Sequence, residues 1–123
     1  MHDFIIDKCE LILESISAIQ AYLIKIKSAD DFKTSFEGNK TLDAVMMRLQ
    51  SVGENIKKIN KTNATFFENL LFFDTNNIIR FRDFISHHYE KLDSDIVLEI
   101  CKIDIPLLKQ KIQTFLSNNN ETV

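Results

Sequence analysis

Glycine and proline are scarce: the 123 residues hold two Gly and one Pro. That shortage speaks against an all-β chain, which needs many tight turns, and it suits a few long helices joined by short links. Cysteine is equally scarce. Cys9 and Cys101 lie far apart, with no CxxC pair and no Cys/His cluster, so zinc has little support and no metal or other cofactor is expected. The expected role of both is as small buried apolar side chains rather than as a disulfide. Long apolar runs are missing too: none approaches the ~18 residues that a membrane span needs. Residues 1–20 mix acids and Lys8 into the apolar positions, against a secretory signal, so the cytoplasm is the expected location and no membrane partner is. A basic excess is also lacking, since the net charge is −3. Nucleic-acid-binding domains usually carry a basic bias, so any nucleic-acid role must rest on a local site.

What is present reads as one globular domain over residues 1–123, with 45% apolar and 27% charged residues, outside the range of a disordered chain. Ile5, Cys9, Ile12, Ile16, Ile19, Leu23 and Ile26 recur in steps of four and three, which predicts a helix from Asp3 to Lys27. Residues 28–40 read as a connection with a short helical turn capped by Ser28, with Phe32 and Phe36 turned inward and Gly38-Asn39 as a break. From Thr41 a second helix carries Leu42, Val45, Leu49, Val52, Ile56 and Ile59. Gly53 sits inside it, either as a tolerated defect costing about 1 kcal/mol relative to Ala or as a point of close backbone approach. Residues 64–73 predict a helix rich in phenylalanine, which fills the core or meets a second subunit. A further helix follows over 76–88, then one capped by Asp93 or Ser94. Pro106 is expected in the first turn of a last helix capped by Asp104, since it cannot donate within a helix interior. The whole predicts an all-α, antiparallel helical bundle, with Ile12, Ile16, Leu49, Val52 and Leu108 in its core.

The chemistry concentrates in Arg80-Phe81-Arg82-Asp83-Phe84-Ile85-Ser86-His87-His88-Tyr89. Histidine can give and take protons near neutral pH, and arginine grips phosphate oxygens with a planar fork. Together they suit metal-independent RNA cleavage: one group takes the proton of the ribose 2′-OH while a cation stabilises the pentacoordinate phosphate. On a regular helix Arg82 and Tyr89 share a face, whereas His87 lies well around from Arg82. Either the helix ends near Ser86 and re-aims His87, or a second chain completes the site.

Arg82, four residues, His87, one residue and Tyr89 resemble the RX4HXY motif of the HepT proteins of the HEPN superfamily, toxin halves of toxin–antitoxin pairs. Asp83 fits the polar residue that follows the family's Arg. Leu49-Gln50-Ser51-Val52-Gly53-Glu54 resembles the family's apolar helix with a Gly-Glu step, and Asp104-Ile105-Pro106-Leu107-Leu108-Lys109 resembles its last helix. The resemblance spans most of the chain, while residues 61–77 match nothing distinctive. It implies a four- to five-helix HEPN bundle acting as a homodimer, and cleavage of RNA with Arg82 and His87 as catalytic residues. Asp83 and His88 are expected to support the site or contact RNA. It also implies an MntA-type nucleotidyltransferase antitoxin as partner, which transfers AMP onto Tyr89. The competing expectation is a non-enzymatic module that binds a nucleotide or docks a nucleotidyltransferase.

Overall fold

The computed structural model describes residues 2–121, apart from the side chains at positions 2, 89, 120 and 121. Four α-helices carry the fold: α1 (His2–Tyr22), α2 (Phe36–Thr62), α3 (Asn76–His88) and α4 (Ser94–Glu121). No strand occurs among the described residues. The predicted stripes are the buried ones except at Leu23, Ile26 and Leu42, which are partly buried, and Ile12, Ile16, Leu49, Val52 and Leu108 all lie in one core. None of the described helices is long and apolar enough to cross a membrane.

Cross-helix bonds fix the directions. Gln50 reaches Ser86, while Glu54 and Lys57 reach the earlier residues Arg82 and Asp83, so α3 runs antiparallel to α2. Lys102 donates to the Lys27 carbonyl and Lys109 to Gln20, which sets α4 antiparallel to α1. The all-α antiparallel bundle read from the sequence is the observed architecture.

The links differ from expectation in instructive ways. Ser28 is the N-cap of a 3-10 turn, Ala29–Phe32, and the Asp31 carboxylate accepts from the backbone N–H groups of Lys27 and Ser28. Phe32 is buried, but Phe36 stands exposed. Gly38 does not break the chain. It sits in the first turn of α2, where its N–H donates to Oγ of the N-cap residue Ser35. A Cβ there would fall 1.9 Å from the Asp31 carbonyl oxygen, so only glycine admits that crossing.

Residues 64–73 form no regular α-helix but a π-helical turn, Phe66–Leu70. Phe72 then takes the left-handed conformation at φ 52, uncommon for a residue with a Cβ, and the Phe73 N–H closes back onto the Phe67 carbonyl at 2.9 Å. This splits the apolar run: Phe66, Phe67, Leu71 and Phe73 enter the core, and Leu70 and Phe72 face out. Pro106 corrects another expectation. It lies inside a continuous α4, with Asp104 in mid-helix rather than at an N-cap. Val97, Cys101, Ile105, Leu108, Ile112 and Phe115 form one buried stripe across it, and that packing outweighs the local cost of the proline.

Candidate active site

The site begins where α3 lies on α2 at Gly53. A Cβ on Gly53 would stand 2.5 Å from Cβ of Arg82 and 2.7 Å from its Cγ. Carbon atoms in contact sit about 3.5–4.0 Å apart, so the glycine marks a close approach and not a tolerated defect. The Arg82 stem lies across this gap, and its guanidinium meets the next residue of α2. Nη2 donates to Oε2 of Glu54 at 2.5 Å, and Nη1 donates to Oδ1 of Asp83 at 3.1 Å. Lys57 donates to that same Asp83 oxygen at 3.3 Å. One turn on, Gln50 donates to Oγ of Ser86 at 3.2 Å, and this hydroxyl donates to the Arg82 carbonyl at 3.1 Å.

Glu54, Arg82, Asp83 and Lys57 thus form a chain of alternating charge with no formal net charge. The Arg82 side chain is only 21% exposed, and its Nε is buried with no hydrogen-bond partner. Hydrogen bonds from Arg82 first and Lys57 second hold the Asp83 carboxyl below its ordinary pKa. The charged fork is therefore well fixed and already occupied by carboxylates.

The histidines lie elsewhere on the same helix. His87 and His88 are both exposed in the last turn of α3, where the helix dipole favours positive charge. The His88 ring sits 5.1 Å from Phe84, one turn back, and 6.5 Å from the His87 ring. Ser86, His87, His88, Glu90 and Lys91 line an open depression. The α-helix runs to His88 and gives way to one 3-10 turn at Tyr89–Lys91. It therefore neither ends near Ser86 to re-aim His87 nor continues through Tyr89, as a shared face with Arg82 requires. The Tyr89 side chain lies outside the described residues.

Arg80 is not drawn into this cluster. It donates to Oδ1 of Asn77 at 3.1 Å and borders a separate depression with Phe81, Glu99 and Asp104. Burial raises the pKa of Asp104 there, partly offset by a hydrogen bond from Asn77. Among the described residues, no group of three or more His, Cys, Asp or Glu side chains is arranged to hold a metal ion. Reading the sequence for chemistry missed Glu54 and Lys57 as site residues. The available signal was a helix-interior glycine followed by an acid, on the helix that had to pack against the motif.

A helical bundle with an Arg-x4-His-x-Tyr segment closing one helix is the arrangement of the HEPN superfamily. The family model described as "Ribonuclease HepT-like" matches residues 12–115, and the chain belongs to that family. A Methanocaldococcus jannaschii protein named "Gamma-glutamylcyclotransferase and putative RNase" is 37% identical over 102 residues. The matched region covers 82% of this chain and 42% of that relative, so the chain spans less than half of the relative's length. No solved structure matches the chain.

Proposed function

We propose that this chain is a metal-independent endoribonuclease toxin that works as a homodimer in the cytoplasm. His87 takes the proton of a ribose 2′-OH as its oxygen attacks the neighbouring phosphorus, and Arg82 stabilises the charge that builds on the phosphate. Family membership and the relative's name support RNA as substrate. One observation carries the reading: α3 is unbroken from Arg82 to His87, with Arg82 turned onto α2 and His87 exposed. Five residues of regular helix turn by about 140°, so one chain alone does not aim both groups at one phosphate. A second copy, bringing its own α3, supplies the missing member and doubles the local positive charge. His88, its ring tilted against Phe84, contacts RNA from the rim.

Control by an MntA-type nucleotidyltransferase belongs to the same proposal. AMP on Tyr89 adds a phosphodiester with about one negative charge and a bulky nucleoside beside the place where RNA phosphate binds. Intact-mass measurement of the protein co-expressed with such a partner is expected to find AMP on wild type and none on Tyr89→Phe. An unmodified Tyr89 in a neutralised preparation means that the partner acts by masking.

The pairing of Arg82 with two carboxylates favours a second reading, a non-enzymatic module that docks a partner. Incubating purified protein with RNA, with and without a chelator, separates the two. Cleavage that persists with chelator and vanishes in His87→Ala is expected. Equal cleavage by the His87→Ala protein rejects the assignment, and no cleavage by wild type leaves the docking module.

A further inference from the structure

The two carboxylates on Arg82 are not equivalent. Glu54 comes from α2, and among the described residues it has no second ion pair. Asp83 is the sequence neighbour of Arg82 on α3, and its Oδ1 already shares Lys57. If Arg82 lets go of Asp83, that carboxylate stays paired. If it lets go of Glu54, the acid loses the one cation it pairs with among the described residues, and the stem over Gly53 loses the bond that sets its direction. An incoming anion therefore displaces Asp83 at lower cost than Glu54.

We propose that Glu54 is a positioning residue that anchors the Arg82 guanidinium, while Asp83 occupies the edge of the guanidinium that an RNA phosphate takes over. The Gly53-Glu54 step is then a socket: the glycine lets the stem in, and the acid sets the plane of the fork. Arg82 has spare donors on both terminal nitrogens, so one edge can hold Glu54 while the other exchanges one anion for another. In the resting protein Asp83 keeps the guanidinium neutralised, and Lys57 retains Asp83 once RNA arrives. The phosphate in this exchange rests on the ribonuclease reading; the anchoring of Arg82 by Glu54 does not.

The test compares Glu54→Ala, Glu54→Asp and Asp83→Ala with wild type. Three readouts are used: the NMR signal of the Arg82 Nε–H group, the Kd for an uncleavable 2′-O-methyl oligoribonucleotide, and kcat on the matching RNA. Glu54→Ala is expected to shift or broaden the Arg82 signal and to lower kcat about 10- to 100-fold, the scale set by a misplaced supporting contact. Glu54→Asp is expected to recover part of both. Asp83→Ala is expected to keep the Arg82 signal and to lower Kd by up to about 5-fold, the worth of an exposed ion pair. A mere loss of negative charge would tighten binding in both variants and leave kcat and the Arg82 signal alone. An unchanged Arg82 signal in Glu54→Ala overturns the anchor, and an unchanged or raised Kd in Asp83→Ala overturns the exchange. If wild type never cleaves RNA, the nuclease reading fails, while the NMR and binding measurements still decide both halves.

Discussion

Gly53→Ala sets two known effects against each other. In an exposed helix the change stabilises by about 1 kcal/mol, because alanine is the better helix former. Here the new methyl would stand 2.5 Å from Cβ of Arg82, so α2 and α3 must separate, and overpacking of this kind costs about 1–3 kcal/mol. The expected net effect is a loss of about 0–2 kcal/mol. At roughly 3–5 °C per kcal/mol for a chain of this length, the melting temperature falls by up to about 10 °C. Urea denaturation followed by circular dichroism measures the change. The nearest atom is Cβ rather than the guanidinium, so the penalty should persist in an Arg82→Ala background. It should vanish in Arg82→Gly, where the alanine gains its full ~1 kcal/mol. A stabilisation of that size by Gly53→Ala in the wild-type background would refute the close approach and with it the socket.

Three other outcomes follow from the fold. Leu49→Ala empties a fully buried position and should cost about 2–5 kcal/mol in urea denaturation; a loss below half of ~1 kcal/mol would deny the core assignment. Pro106→Ala restores an N–H that can donate to the Lys102 carbonyl at an exposed position in mid-α4, so it should stabilise by about 1–3 kcal/mol, and a destabilised variant would show that the proline ring contributes more than the missing hydrogen bond costs. Asp83 has a pKa lower in the folded than in the unfolded chain, so its contribution is present above the ordinary carboxylate pKa and is lost as pH falls through the folded one. Below pH 3.8, wild type should therefore lose stability more steeply than Asp83→Asn, and parallel acid titrations would contradict the pairing.

The helices were legible because burial imposes a period on the sequence. Ile12, Ile16, Leu49 and Val52 are spaced as one face must be, and that face is buried. Boundaries were harder to read. Gly38 looks like a breaker until Asp31 is known to cross it, and the signal that begins α2 is the serine three residues earlier. Pro106 carries a local rule against helix, which the stripe from Val97 to Phe115 overrides through contacts far away in sequence. The site divides in the same manner. Arg82 and His87 stand in a short motif, whereas Glu54 reaches Arg82 across 28 positions, and no local pattern records a pair that only the crossing of two helices creates.

The two thiols give the fold a built-in clock. Cys9 on α1 and Cys101 on α4 are both unpaired and buried, and burial pushes each up to about 12. A thiol so raised holds almost no reactive thiolate at neutral pH, so an alkylating reagent consumes it only when the surrounding helix opens. The chain thus carries one timer in its first helix and one in its last. If both are alkylated at one shared rate, the bundle opens all at once. If Cys101 runs ahead of Cys9, α4 peels away first and leaves the α2–α3 crossing, with Arg82 in its socket, to open on its own later schedule.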